Sequence, residues 1–183
     1  PPPPAPPADS AHAHASGPSG PGRPWVPPRE WRVCQPAQTL LRVGTADGLA
    51  NASVRPLLET RAHRILVGTQ NGLFEMRGER FTVVAGLPPG LDITTLTELP
   101  NGALVVGVLT ESIYVFDGHR WTNIGHDQGL PGNTPFFQTV DDRGYLWIAG
   151  IRGVERVPLS DLQQFAAGAI SSVRGEMLLN ERG

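Results

Sequence analysis

Five histidines, one cysteine and a pair of adjacent aspartates are the side chains in this 183-residue sequence with the clearest potential for chemistry. A zinc site needs three or four ligands from His, Cys, Asp or Glu, usually with close spacing. No pair of histidines combines close spacing with acidic neighbours, so we expect no metal ion and no other cofactor. The histidines are His12, His14, His63, His119 and His126, and we interpret the last three as solvated turn residues.

The carboxylates and the cysteine form no catalytic pattern either. Asp141 and Asp142 are adjacent, and adjacent strand residues point to opposite faces, so they would not act as an acid–base pair. Their position before Gly144 indicates a turn. Cys34 has no second cysteine to bond with and is interpreted as a half-buried apolar side chain. We therefore predict no catalytic residue and no enzymatic activity in this chain, and the sequence identifies no ligand-binding residue.

Composition excludes two classes of partner. A formal net charge of −2 provides no basic field for nucleic acid and no polybasic patch for a membrane surface. No apolar run approaches the roughly 18–20 residues of a membrane helix, so contact with a membrane would come only through other parts of a longer protein. More than half of the 19 prolines lie in residues 1–28, which we interpret as a disordered, Pro-rich linker.

Few side chains form a recognisable chemical pattern, but the predicted strands repeat along the sequence. ILVGTQNGLFEM (65–76), LVVGVLTESIYVF (104–116) and LWIAGIRGVERV (146–157) each contain two β-rich runs around a short turn. Their anchors Gly68, Gly107 and Ala149 are 39 and 42 residues apart, and a Gly-Leu pair precedes each unit, at 48–49, 86–87 and 129–130. Four candidate strands per period of about 40 residues are typical of the blades of a β-propeller.

The repeat predicts an all-β fold, a partial β-propeller of about three four-stranded blades. The expected segments are a lead-in strand at 29–46, blades at 47–85, 86–128 and 129–168, and the start of a further, truncated segment at 169–183. The third blade carries a short helix, with Ser160 as its N-cap and Gly168 as its stop. Trp147 is predicted to pack between blades.

The third unit carries a more specific pattern. GLPGN (129–133), DDRGYLWIAG (141–150) and GVERV (153–157) resemble the two-component regulator propeller repeat, and the first two units keep parts of it. The resemblance implies the sensory, periplasmic region of a bacterial transmembrane protein whose output module is a GGDEF diguanylate cyclase or a hybrid histidine kinase. That output module is not in these residues, so we expect a fragment of a longer protein.

The resemblance favours signal reception, with an unknown small molecule or periplasmic partner and a possible dimer formed through the full-length protein. Two alternatives remain open. One is a propeller lyase similar to streptogramin lyase, which would need a histidine and metal-binding acids facing the central funnel. The other is a non-catalytic protein-interaction scaffold, which would bind another protein and no small molecule.

Overall fold

The computed structural model describes residues 45–50 and 53–180, which form twelve strands and one α-helix. A short 3-10 helix, Thr45–Asp47, takes up the last two residues of the predicted lead-in strand, and His126–Gln128 forms another. The predicted linker at 1–28, the rest of the lead-in strand, His12, His14 and Cys34 lie outside the described residues. The strands are β1 Val54–Glu59, β2 Ile65–Thr69, β3 Gly72–Arg77, β4 Arg80–Val83, β5 Ile93–Glu98, β6 Leu104–Val108, β7 Ser112–Phe116, β8 Trp121–Ile124, β9 Pro135–Val140, β10 Tyr145–Gly150, β11 Gly153–Pro158 and β12 Glu176–Asn180.

The strands form three four-stranded antiparallel sheets, each in sequence order: β1-β2-β3-β4, β5-β6-β7-β8 and β9-β10-β11-β12. The first strands of the sheets lie side by side, because β1 contacts β5 and β5 contacts β9. Each sheet is therefore a blade with its first strand innermost, and the predicted partial propeller of three four-stranded blades is confirmed. We call the face that a blade turns to its predecessor the leading face and the opposite one the trailing face.

Two hydrophobic cores lie between the blades. The first contains Leu66 and Leu73 from blade 1 with Leu104, Val106 and Val108 from blade 2. The second contains Val105, Ile113 and Val115 from blade 2 with Leu146, Ile148 and Val157 from blade 3. Strand β6 contributes to both, and all five of its residues are buried. A strand covered on both faces reads as a continuous apolar run, which explains why LVVGV shows no alternation.

Glycine occupies the points where a following blade approaches most closely. A Cβ on Gly68 would lie 2.6 Å from Cγ2 of Ile93, the first residue of β5. A Cβ on Gly107, the equivalent residue of blade 2, would lie 2.6 Å from Cγ of Pro135, the first residue of β9, and would also meet the Thr95 hydroxyl. Neither glycine is needed for a left-handed backbone conformation. Both are required because the neighbouring inner strand leaves no room for a side chain.

Arginines in the turns add polar links between blades. The Arg61 guanidinium donates from Nη1 to the carbonyl of Pro100 at 2.7 Å and from Nη2 to that of Leu99 at 3.1 Å. At the second junction, Arg152 Nη2 donates to Glu111 Oε1 at 3.0 Å. These contacts sit at the rim, so they fix the orientation of blades that the apolar cores already hold together.

The leucine of each Gly-Leu pair packs on the leading face of the blade that it precedes. Leu49 contacts Val67 and Phe74 of blade 1, Leu87 packs on the first inter-blade core, and Leu130 belongs to the second. In the third pair, Gly129 has a φ of +97°, and a Cβ there would meet the carbonyl oxygen of Val173. The repeated Gly-Leu pairs are therefore turns that seal the edge of each blade.

The third blade differs from its predicted organisation. Its outermost strand is β12, which pairs with β11, so the segment after residue 168 completes this blade instead of starting a further one. The helix α1, Leu159–Ala166, is inserted between β11 and β12. Its Leu159, Leu162 and Ala166 are buried in the second core, which pulls the chain away from the sheet before β12 returns. Asp161 holds the returning segment through Arg174, with 2.7 Å between Oδ1 and Nη2.

One predicted role in the third blade, the N-cap of its helix, is wrong. The N-cap of α1 is Pro158, whereas Ser160 is its second helical residue, because Leu159 already packs as a helical residue on the core. Gly168, with a φ of +76°, does follow the helix. Trp147 alternates with Leu146 and Ile148, which face blade 2, and therefore lies on the trailing face, which no described sheet covers. Its packing between blades stays a prediction.

Close packing at Gly107 predicts the effect of one added methyl group. Gly107→Ala should lower the free energy of unfolding by about 1–3 kcal/mol, because the methyl group overlaps Pro135 and Thr95 and forces the blades apart. Urea unfolding of the chain measures the change. Gly125→Ala is the matched control, since a Cβ there has no neighbour closer than 3.5 Å and the backbone φ is −129°. Equal destabilisation by the two substitutions would contradict the role given to Gly107.

Candidate functional site

A cavity of about 440 Å³ lies where the inner strands of the three blades meet. Ligand sites in proteins commonly have volumes of about 300–1,000 Å³, so the cavity is large enough for a small molecule. All of its lining residues come from β1, β5 and β9, and they are Arg55, Pro56, Thr94, Thr95, Leu96, Phe136, Phe137 and Gln138. All three described blades contribute to this one cavity, because their inner strands converge there.

Each inner strand has a β-bulge at the same position. The pairing of β1 with β2 passes from Val54↔Thr69 to Leu57↔Val67, which leaves one extra residue in β1 at Arg55 and Pro56. In β5 the extra residue is Thr94, between Ile93 and Thr95.

In β9 the extra residue is Phe136, since the pairing passes from Pro135↔Gly150 to Phe137↔Ala149. A bulge leaves its extra residue outside the ladder and redirects its side chain. The three bulges therefore present Arg55, Thr94 and Phe136 to the same cavity. Pro56 is compatible with the first bulge because proline has no N–H to give to the ladder.

Three buried polar groups in the cavity wall have no hydrogen-bond partner. They are the hydroxyls of Thr94 and Thr95 and the amide nitrogen of Gln138, whose residues are 9%, 5% and 9% exposed. The Gln138 oxygen accepts a hydrogen bond from the Thr97 hydroxyl at 3.4 Å, so the amide nitrogen is the group left over. An unsatisfied buried polar group costs about 1–3 kcal/mol, and a bound ligand that supplies a partner would recover part of that cost.

Arg55 is the one charged side chain among the described lining residues. Its Nη1 lies 2.9 Å from Asp92 Oδ1, beside the cavity, and its side chain is 35% exposed. Two adjacent phenylalanines supply the apolar part, since Phe136 is 55% and Phe137 62% exposed. The wall therefore combines one guanidinium, three unpartnered polar groups and two accessible aromatic rings.

The described residues that the sequence singled out for chemistry do not meet in this cavity. His63 Nδ1 lies 2.8 Å from Glu59 Oε1 in an exposed turn, and His126 Nδ1 contacts the carbonyl of Leu130 at 3.2 Å. The backbone N–H of His119 donates to Asp117 Oδ1 in another turn. The interpretation as turn residues is confirmed for His63 and His119, whereas His126 begins the short 3-10 helix His126–Gln128. In the described part of the chain, no three His, Cys, Asp or Glu side chains are placed to hold one metal ion.

Asp141 is also a turn residue, as predicted. Its Oδ1 accepts from the backbone N–H groups of Arg143 and Tyr145, and its Oδ2 accepts from the Trp147 indole at 2.8 Å. The hydrogen bond from the Trp147 indole lowers the pKa of this carboxyl, with further contributions from the two backbone donors. The Asp-to-Trp spacing in DDRGYLW therefore has a structural role, the closure of the turn between β9 and β10.

Sequence reasoning did not identify the cavity residues. Their types are ordinary for strands, and only the structure brings the three inner strands together. One signal was available: SVRPLLET, DITTLTEL and TPFFQTV occupy the same position in the repeat, so their middle residues had to converge on the propeller axis. The bulges had no signal of their own apart from Pro56 inside a predicted strand.

A second unusual group, Glu155, lies between blades 2 and 3. It is 2% exposed, follows the same face of β11 as Val157, and pairs across the ladder with Ile148, both of which belong to the second core. Its Oε2 has no hydrogen-bond partner. Burial raises the pKa of this carboxyl to about 7. Because no other acid or base of the described residues is paired with it, the geometry indicates a buried carboxyl that keeps its proton to higher pH than an exposed one and has no catalytic partner there.

The comparisons with known proteins are limited to the fold. No model of a known protein family matches the chain, and no curated protein has significant sequence similarity to it. Among solved structures, the chain is similar to the extracellular domain of a hybrid two-component system protein from B. thetaiotaomicron, with a TM-score of 0.57 and 16% sequence identity. The match covers 73% of this chain and 21% of that one, so the chain spans about a fifth of that domain's length. None of the described helices is long and apolar enough to cross a membrane.

The raised pKa of Glu155 predicts a pH-dependent stability. The folded chain keeps a proton that the unfolded chain loses near its ordinary pKa of 4.5, so the stabilisation is complete below that pH and is lost as the pH rises through about 7. Relative to Glu155→Gln, the wild-type chain should therefore lose about 1–3 kcal/mol of unfolding free energy between pH 5 and pH 8.

Urea unfolding at the two pH values measures this loss, and Glu79→Gln, in an exposed turn, is the control that should titrate like wild type. If Glu155→Gln shows the same pH dependence as wild type, the carboxyl does not titrate in this range.

Proposed function

We propose that the chain is the signal-receiving propeller of a bacterial transmembrane signalling protein. The observation that carries the proposal is the cavity among the inner strands, with buried polar groups that a ligand would satisfy. The repeat pattern of residues 129–157 and the fold similarity to the extracellular domain of a hybrid two-component system protein support it. In this proposal the propeller faces the periplasm, and its output module is a diguanylate cyclase or a histidine kinase elsewhere in the full-length protein.

The position of the cavity suggests how binding is transmitted. Arg55, Thr94 and Phe136 belong to three different blades, so one ligand would contact all three inner strands. A ligand shifts a conformational equilibrium only if it binds one state better than the other. Here the favoured state is the one in which the three bulges converge on the ligand. Small rotations between blades would then be passed to the elements that follow the propeller.

The cavity chemistry favours reception over catalysis. Among the residues that the structure describes, its lining contains no His, Cys, Asp, Glu or Lys, the side chains that act as general acids, bases or metal ligands. A lyase similar to streptogramin lyase would need a histidine and metal-binding acids in this position. We therefore propose that the chain binds its stimulus without transforming it, and that any enzymatic activity belongs to the output module.

The proposal predicts a ligand response that depends on the cavity. In membranes that contain the full-length protein, one compound from a panel of carboxylates, sugars and amino acids should change cyclic-di-GMP synthesis or histidine phosphorylation. Gln138→Leu should abolish the response, because it removes the unpartnered amide without a large change in size. Both outputs are measured, since the proposal allows either module.

Thr139→Val is the matched control, because Thr139 is the next residue of β9, is exposed and does not line the cavity. It should respond like wild type. A full-length gene without a membrane segment and signalling module would overturn the proposal, as would a response that Gln138→Leu leaves intact.

A further inference from the structure

We infer that the cavity among the inner strands binds a carboxylate carried on a flat apolar ring. This ligand class rests on the proposed function, because it takes the cavity to be the site of the stimulus. It follows from three properties of the wall: its charge, the donor or acceptor character of its hydrogen-bonding groups, and its aromatic surface.

The charge of the wall favours an anion. Arg55 is the one charged lining residue, and the bulge in β1 directs it to the cavity. The salt bridge with Asp92 joins Nη1 to Oδ1 at 2.9 Å. A guanidinium carries five N–H donors in a planar fork, so several remain for a ligand. Carboxylates match that fork with two parallel hydrogen bonds.

The hydrogen-bonding groups also favour an acceptor. The Gln138 oxygen is used by Thr97, so the group of this lining side chain that is left without a partner is its buried N–H₂, which only donates. The Thr94 and Thr95 hydroxyls can donate as well. An ionised carboxylate accepts about four hydrogen bonds and donates none, which fits this set. A sugar ring presents many hydroxyl donors, for which the lining has no carboxylate and no free amide oxygen.

The aromatic surface indicates the body of the ligand. Phe136 is turned to the cavity by the bulge in β9, and both Phe136 and Phe137 are more than half exposed. Pro56 and Leu96 extend the apolar wall on the other two blades. Aromatic rings gain about 0.5–1.5 kcal/mol from stacking beyond the burial of their area. A flat ring therefore fits beside these phenylalanines, with its carboxylate towards Arg55.

Calorimetric titration of the full chain tests the inference with three probes. The first is 2-naphthoate, which has both features; 2-naphthamide keeps the ring and lacks the charge, and glucuronate keeps the carboxylate and lacks the flat ring. We expect 2-naphthoate to bind at least about tenfold more tightly than either of the others, which corresponds to ~1.4 kcal/mol. No binding of 2-naphthoate, or equal binding of 2-naphthamide or glucuronate, would overturn the inference.

Two variants separate the contributions. Arg55→Met should weaken 2-naphthoate binding by about tenfold and leave 2-naphthamide unchanged, because it removes only the charge. Phe136→Ala should weaken both ligands by similar factors, and its exposed side chain makes it unimportant for folding. Thr139→Val should change neither affinity. Unchanged binding of 2-naphthoate to both cavity variants would show that it binds elsewhere and would contradict the inference.

The results distinguish this inference from the proposed function. If 2-naphthoate binds as expected but alters neither output of the full-length protein, the ligand class stands and the signalling role fails. If the output responds through Gln138 to another compound while 2-naphthoate does not bind, the signalling role stands and the ligand class fails.

Discussion

Every blade depends on burial of both faces of its sheet. Blade 2 meets this condition within the described residues, because β6 contributes Val105 to one inter-blade core and Val106 to the other. Such a sheet gains its stability from its neighbours more than from its own four strands, as in other repeat architectures. The close approach needs Gly68 and Gly107, where even a methyl group would overlap the next inner strand. The apolar strands, the glycines and the Gly-Leu turns are consequences of this one constraint.

The same constraint creates the cavity. When blades pack face to face, their inner strands converge, and the groups on those strands cannot all find partners within their own sheet. The bulges at Arg55, Thr94 and Phe136 increase the effect, since each places one residue outside the ladder. Three polar groups stay unpartnered as a result. Native proteins satisfy most buried polar groups, so the proposed binding site rests on this cluster of unpartnered ones beside a cavity.

The sequence predicted the blades because the pattern occurs three times, so an irregularity in one copy does not hide the period. The prediction of blade organisation failed where the third repeat departs from the first two. The helix α1 occupies the place in the sequence where the other blades have their fourth strand. Only the pairing of β12 with β11 shows that the fourth strand of blade 3 comes after the helix. Trp147 was predicted from its residue type to pack between blades; the register places it on the face opposite Leu146 and Ile148, which no described sheet covers, so that contact stays a prediction. The cavity could not be predicted from residue types, since a bulge is a property of pairing between strands.

Gly107 connects the fold to the candidate site. A side chain there would meet Pro135, which belongs to the packing of blade 3, and also the hydroxyl of Thr95, which lines the cavity. The residue that allows two blades to meet therefore also fixes the position of a polar group at the site. Because Thr95 and Gln138 lie on the inner strands of adjacent blades, any change in the distance between those blades changes the spacing of these two lining residues. Binding and blade packing are thus coupled through the same contact, and a ligand that bridges the two strands must alter the free energy with which the blades hold together.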